Sequence, residues 1–140
     1  MDRVSGLIRE RTAHMDRLTA DLPFRDGSPS EARALLRTFL AGQGIDGQVC
    51  DRAALVASEL VMNAVMHGSE PIGFCVELQH DVVAIAVTDA DERQEPFEPL
   101  EPSFDGTQGR GLTIVESVTR RWGFTQHPDD GKTVWGEIAR

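Results

Sequence analysis

The chain has 140 residues, of which 40% are hydrophobic and 26% charged, and its formal net charge is −9 at pH 7. This length and composition predict one globular domain with a single core. The acidic balance argues against nucleic acid as the main partner, because contacts with phosphates need lysine and arginine. The sequence has no run of about 18 apolar residues and no apolar signal core near its N-terminus, so we expect a cytoplasmic protein without a membrane span.

The N-terminal part of the chain divides into an arm and the beginning of the domain. Residues 1–17 are charged throughout and are interpreted as an N-terminal arm with helical character. Residues 18–140 are interpreted as one domain. Its first segment, residues 18–24, has the pattern of a short edge strand that ends at a proline.

Two helices are predicted next. In "DGSPSEARALLRTFLAGQG", Ser28 is the predicted N-cap and Pro29 fits the first helical position. The second helix is longer and is predicted to begin near Asp46 and to end at Gly68.

The second half of the chain predicts strands around one irregular segment. Residues 72–79 and 82–89 each place alternate apolar side chains on one face, and their short link predicts a hairpin. Residues 90–108 contain three prolines and no regular period, which is typical of a functional lid or a disordered loop. Residues 109–123 predict a glycine turn and a third helix, and "FTQH" and "TVWGEIA" predict a last hairpin around "PDDGK". The expected fold is therefore an α+β two-layer sandwich of a mainly antiparallel sheet with helices on one face.

The second helix has an unusual polar stripe. Glu59, Asn63 and His67 follow one another at four-residue steps, each of about 40° of rotation and roughly 6 Å of rise. One interpretation is that the side chains of Asn63 and His67 find hydrogen-bond partners near the helix end, while Glu59 lies on the surface. The functional alternative is a metal and phosphate site, because the amide oxygen of Asn63 is a hard ligand suited to Mg²⁺. Glu59 would then act as a base or hold a metal-bound water.

Two further motifs have both a plain and a functional interpretation. Asp89 continues the apolar face of its strand, where a carboxylate is costly unless it meets a donor. It either caps the following turn or accepts from a buried ligand, such as the exocyclic amine of a base. The stretch "GRGL" at a helix start allows close approach of backbone N–H groups to phosphate, although one Gly-x-Gly alone is most often a turn. It matches neither a Rossmann-type nor a Walker-type motif.

The order of these motifs resembles that of the GHKL ATPase superfamily. "ELVMNAVMHG" is similar to its N box, "VTDAD" to a reduced first glycine box and "GRGL" to its second. From about Leu22 onward, the chain resembles the small single-domain anti-sigma-factor serine/threonine kinases of this superfamily, including "GRGLTIVESVTRRWG" and "GKTVWGEI". The resemblance implies a histidine-kinase-like ATPase fold with residues 90–108 as the ATP lid. The chain departs from the family in residues 89–93, where both glycines of the first box are missing, which implies weaker or altered nucleotide binding.

The resemblance also implies a role for each motif residue. Glu59 would be the general base toward a serine hydroxyl, Asn63 would bind Mg²⁺ between the phosphates of ATP, and His67 would line the pocket. Asp89 would accept from the adenine amine, with support from Thr133 directly or through water. The phosphates would contact four residues of the second glycine box, Gly109, Arg110, Gly111 and Leu112.

The function implied by the resemblance is that of an ATP-dependent protein serine kinase and anti-sigma factor. Its phosphate acceptor would be a serine of an anti-anti-sigma (STAS-type) partner, it would sequester a sigma factor, and such kinases often form homodimers. The alternative is an ATP-binding interaction module that transfers no phosphoryl group. The missing glycines favour the module, whereas the combination of Glu59 and Asn63 favours the kinase. A structural domain without a ligand would leave the order of the motifs as a coincidence.

Overall fold

The computed structural model describes residues 16–90, 110–127 and 131–140. The N-terminal arm up to residue 15, the lid from residue 91, Gly109 and residues 128–130 lie outside the described residues. Within the described ranges, a five-stranded antiparallel sheet packs against helices, which confirms the predicted α+β class. In these same ranges, no helix is long and apolar enough to cross a bilayer.

The strands form one open sheet in the order β1-β2-β3-β5-β4, and every neighbouring pair is antiparallel. The elements are, in chain order, β1 (Arg17–Leu22), α1 (Ser28–Gly42), α2 (Gly47–His67), β2 (Ile72–Leu78), β3 (Val82–Asp89), α3 (Arg110–Val118), β4 (Arg121–His127) and β5 (Gly131–Ala139). The predicted edge strand, the two long helices and the β2–β3 hairpin are therefore confirmed. The edge strand begins one residue earlier than predicted and ends before the proline.

The hydrophobic core lies between the helices and one face of the sheet, here called the inner face. Val83, Ile85 and Val87 of β3 belong to this face and form one buried cluster with Val56 and Leu60 of α2. Burial of such apolar surface is the main favourable term in folding. The long helix α2 is thereby fixed across the centre of the sheet, and its polar stripe lies beside the core.

The opposite face of the sheet, the outer face, has a different composition. Its side chains are mostly half-buried and include Cys75 and Trp135. The Arg121 guanidinium lies 5.4 Å from the ring centre of Trp135 and donates to both carboxylate oxygens of Glu137 at 3.0 and 3.1 Å. These contacts are exposed and contribute little to stability.

The beginning of α1 differs from the prediction. Gly27, and not Ser28, is the N-cap residue. Ser28 lies inside the helix, is buried, and its hydroxyl donates to the carbonyl oxygen of Pro23. This contact directs the serine back toward the end of β1, so it does not cap the helix. Pro29 lies in the first turn as predicted.

The end of α3 was also predicted wrongly. The helix ends at Val118, and residues 121–123, which were assigned to it, belong to β4. In the antiparallel ladder Arg121 is opposite Glu137 and Trp122 is opposite Gly136. Pairing with β5 therefore overrides the local helical pattern.

The last strand is longer than predicted. Gly131 and Lys132 were assigned to the turn, but β5 already includes both. Lys132 is directly opposite Asp89 of β3. The difference matters because it brings a cation to the end of β3.

Candidate functional site

The polar stripe of α2 lies at the boundary between core and solvent. Glu59, Asn63 and His67 are half-buried, whereas Leu60 and Ala64 beside them are buried. The three polar side chains are thus partly accessible and held by a helix whose other side is fixed in the core. This placement suits groups that must bind a ligand in a defined geometry.

The carboxyl group of Glu59 is partly desolvated. Burial raises the pKa of Glu59 above its ordinary value, and the nearby charge of Arg33 on α1 offsets part of this effect. A carboxylate with a raised pKa is a stronger proton acceptor, which suits a general base.

The C-terminal end of α2 contacts the end of β3. A Cβ added to Gly68 would lie 2.5 Å from Cγ and 2.6 Å from Oδ2 of Asp89, so a side chain at this position has no room. One residue further along each segment, the N–H of Ala90 donates to the carbonyl oxygen of Ser69 at 3.0 Å. The fold therefore brings the Asp89 carboxylate to the helix end that follows the polar stripe.

The carboxylate of Asp89 forms a buried ion pair with Lys132. Lys132 Nζ lies 3.5 Å from Asp89 Oδ2. Both residues are only 2% exposed and lie on the inner face. The ion pair with Lys132 was not predicted from the sequence. Alternation counted backwards from Val134 along the strand would have placed residue 132 on the same face as Asp89.

Thr133 is not brought to the Asp89 carboxylate. It is one residue further along β5, so its side chain lies on the outer face. Its hydroxyl is 2.8 Å from Oγ1 of Thr88 and 2.9 Å from Nε2 of His127. The support of an adenine contact by Thr133, which the resemblance implies, stays a prediction, and the direct cross-strand neighbour of Asp89 is Lys132.

The N-terminus of α3 lies where the glycine motif predicted a helix start. The helix begins at Arg110, the second residue of "GRGL". It packs beside α2, since a Cβ at Gly136 of the sheet would meet both Val56 Cγ1 at 3.4 Å and Val115 Cγ1 at 3.8 Å. Free N–H groups and the helix dipole at such an N-terminus favour phosphate.

The donor set fits a magnesium nucleotide. In residues 16–90, 110–127 and 131–140, no group of three or more His, Cys, Asp or Glu could hold a metal ion. Mg²⁺ typically keeps several waters and binds through one or two protein oxygens together with substrate phosphates. The Asn63 amide can supply such an oxygen, and the Asp89 carboxylate can accept from a base amine.

Comparisons with known proteins identify the family to which the domain belongs. A family model described as the histidine kinase-like ATPase domain matches residues 22–136. No curated protein sequence matches the chain.

The solved structures that are similar to the chain include the following two. The crystal structure of the RsbU and RsbW domains of Rv1364c from Mycobacterium tuberculosis matches with 23% identity and a TM-score of 0.65. The match covers 89% of this chain and 33% of that one, so the chain spans about a third of the length of that crystallised chain. The histidine kinase domain of the blue-light activated histidine kinase from Erythrobacter litoralis EL346 matches with 17% identity and a TM-score of 0.49, over 76% of this chain and 60% of that one.

The family match includes α1, α2, the central hairpin and most of β5. It confirms the resemblance to the GHKL superfamily that the order of the motifs indicated. The similarity to the mycobacterial structure supports the same fold. The chain belongs to the family of histidine kinase-like ATPase domains.

Proposed function

We propose that the chain is an ATP-dependent protein serine kinase, whose site lies between α2, the end of β3 and the start of α3. One observation above all supports this proposal. Glu59 is half-buried, has a raised pKa, and precedes Asn63 by one helical turn on the helix whose end contacts Asp89. The proposed general base, the proposed metal ligand and the carboxylate that would recognise adenine thus follow one another from α2 to the end of β3.

Each polar group has a distinct task in this proposal. Asp89 accepts a hydrogen bond from the adenine amine, and the Asn63 amide oxygen binds Mg²⁺. His67 lines the site beside them. The second glycine box, residues 109–112, provides backbone N–H groups for the phosphates. Bound Mg²⁺ supplies positive charge that neutralises the phosphate oxygens during transfer.

Glu59 acts on the phosphate acceptor. Its carboxylate takes the proton of a serine hydroxyl as the oxygen forms a bond with the γ-phosphorus of ATP. The bond from that phosphorus to the bridging β,γ-oxygen breaks, and ADP leaves with the electron pair. Catalysis of this kind depends mainly on positioning and charge neutralisation. One partly desolvated carboxylate is sufficient for the proton transfer.

The surface around Glu59 favours a protein acceptor. Leu55, Met62 and Met66 share its face of α2 and are 37%, 38% and 58% exposed. Exposed methionines form adaptable surfaces that bind protein partners. By the family resemblance, the acceptor is a serine of a STAS-type anti-anti-sigma protein and the chain also sequesters a sigma factor. A cytoplasmic location and a homodimeric state belong to the same proposal.

A second function is an interaction module that binds ATP without transferring phosphate. The observation that favours it is the sequence after Asp89, where Ala90-Asp91-Glu92-Arg93 replaces the glycines of the first box. Transfer of radiolabel from γ-labelled ATP to a panel of STAS domains distinguishes the two functions. Transfer supports the kinase, and tight ATP binding without transfer to any panel member supports the module.

The Glu59→Gln variant tests the proposed base. Glutamine keeps the shape and polarity of the side chain but accepts no proton, and loss of a general base typically slows a reaction about 10²- to 10⁴-fold. We expect that loss of transfer rate with little change in ATP affinity. Glu77→Gln on the outer face is the matched control and should transfer at the wild-type rate. Transfer at the wild-type rate by Glu59→Gln would rule out Glu59 as the base.

A further inference from the structure

Lys132 has no role in the function proposed so far, yet it is the only Lys or Arg side chain that is buried among the residues that the structure describes. It is the only lysine of the sequence, in which every other cationic side chain apart from histidine is an arginine. It is 2% exposed and lies on the inner face, where its strand neighbours Val134 and Ile138 belong to the core.

The backbone holds Lys132 opposite Asp89. Gly131 has a φ of +89°, and a Cβ added there would lie 1.8 Å from the carbonyl oxygen of Asp89. Only glycine allows the two strands to approach this closely. The residue after it is consequently fixed as the cross-strand neighbour of Asp89, with Nζ 3.5 Å from Oδ2.

The stability of the fold does not explain this pair. Replacing a buried ion pair by apolar residues of similar volume is often neutral or stabilising, because desolvation of the charges offsets their attraction. The neighbouring positions of both strands are valines, Val87 and Val134, so apolar residues would suit the core here. A carboxylate and an ammonium side by side do, however, present an acceptor next to a donor.

The Watson–Crick edge of adenine has the complementary pattern. Its exocyclic N6 amine donates, and the adjacent ring nitrogen N1 accepts. We propose that Lys132 determines base specificity in the nucleotide site, its ammonium donating to adenine N1 while Asp89 accepts from N6. This inference rests on the proposed ATP site and adds a second recognition residue to it. Guanine is rejected because its keto oxygen faces Asp89 and its N1–H faces Lys132.

Nucleotide analogues test the contact in the unmodified protein. In 1-deaza-ATP a C–H replaces N1, so only the proposed contact with Lys132 is lost. Hydrogen bonds to charged groups are strong enough that we expect about a 10- to 100-fold weaker affinity than for ATP. The matched control is 7-deaza-ATP, which keeps both N1 and N6 and should bind like ATP. Titration calorimetry in excess Mg²⁺ measures all three affinities, and that of GTP.

The Lys132→Met variant completes the test. It should bind ATP and 1-deaza-ATP equally, so the discrimination of the wild type disappears. A readout without substitution is also available, because [¹³Cε]lysine labelling gives a single resonance in a chain with one lysine. That resonance should shift with ATP and much less with 1-deaza-ATP at equal saturation.

The outcomes separate this inference from the function on which it rests. If the wild type binds ATP but does not distinguish 1-deaza-ATP from it, or binds GTP equally well, the role of Lys132 is wrong while the ATP site stands. If the wild type binds no adenine nucleotide at millimolar concentration, the proposed function and this inference both fall. Should Lys132→Met fail to fold, the analogue series with the wild type alone still decides.

Discussion

Two neighbouring pairs of residues across β3 and β5 have opposite chemistry. Asp89 and Lys132 form a buried ion pair on the inner face. One step along each strand, Thr88 and Thr133 share a hydrogen bond of 2.8 Å on the outer face. The two pairs belong to the same ladder, and their side chains point to opposite sides of the sheet.

Under the proposed function, the pleat of the sheet separates a recognition pair from a structural pair. The outer pair consists of neutral hydroxyls whose hydrogen bond, like most, is expected to contribute about 0.5–1.5 kcal/mol. The inner pair places two charges in a low-dielectric environment, where their attraction does not reliably exceed the cost of desolvation. Charges at such a position are better explained by a ligand than by folding. Substitutions at or against the Asp89–Lys132 pair should therefore change ligand binding, and substitutions of the outer pair should change stability alone.

The largest expected effect comes from a glycine that touches the inner pair. In Gly68→Ala the new Cβ would lie 2.5 Å from Asp89 Cγ and 2.8 Å from the carbonyl oxygen of Ala64. Because a backbone atom cannot move aside easily, we expect a loss of about 1–3 kcal/mol in the free energy of unfolding, as for other overpacked sites. Displacement of the Asp89 carboxylate should also weaken ATP binding. Urea unfolding and calorimetry measure the two effects.

Gly73→Ala on the outer face is the matched control. Its nearest neighbour would be Thr88 Cβ at 3.8 Å, which is an ordinary contact. A change within about 0.5 kcal/mol is expected, as for most surface substitutions. Equal effects of the two glycine substitutions would remove the distinction between the faces.

Asn63→Ala should have the next largest effect, on Mg²⁺-dependent binding. Loss of even an outer partner of a metal typically costs about 10- to 100-fold in affinity, and loss of a direct ligand should cost at least as much. ATP affinity in excess Mg²⁺ should fall accordingly, while circular dichroism stays unchanged. Gln48→Ala, an exposed amide in the first turn of the same helix, should bind ATP like the wild type. Unchanged affinity of Asn63→Ala would exclude the ligand role.

Thr133→Val tests the outer pair directly. It removes the hydroxyl that contacts Thr88 and His127. We expect a loss of about 0.5–1.5 kcal/mol of stability, the usual contribution of a hydrogen bond, and no change of ATP affinity. A large loss of ATP affinity without unfolding would instead support the adenine role that the family resemblance implies for Thr133.

Much of the fold could be predicted because its signals are local. The apolar spacing of α2 and the glycine that follows it define the helix, and the stripe of Glu59 and Asn63 follows from helical geometry alone. Alternation along β3 placed Asp89 on the core face, and the structure confirms that Asp89 is buried there.

The errors arose where a distant partner decides the local structure. Nothing local separates residues 121–123 from α3, and they join β4 only because β5 lies opposite. Lys132 follows a turn-type sequence, and its place in β5 depends on pairing with Asp89, a residue 43 positions earlier. Register across the sheet was therefore the missing information.

The smallest expected effect is on the free energy of unfolding, which ionisation of the partly buried Glu59 lowers. Burial raises the pKa of Glu59, and Arg33 offsets part of this. The folded state thus holds the proton more tightly than the unfolded chain. The free energy of unfolding must then fall as the pH rises from the ordinary carboxyl pKa to the raised one. Because Glu59 is partly exposed, solvent screening keeps this penalty small.

Glu59→Gln removes the ionisation and therefore the penalty. Above the raised pKa the variant should be more stable than the wild type by no more than about 0.5 kcal/mol, and the difference should vanish below the ordinary carboxyl pKa. Arg33→Gln should do the opposite, because it removes the positive charge that stabilises the Glu59 carboxylate. Denaturant unfolding of the three proteins across this pH range measures the differences. If Glu59→Gln remains more stable than the wild type at low pH, the gain in stability does not come from ionisation. The inference that the Glu59 carboxylate is partly desolvated, on which its role as the base depends, would then lose its support.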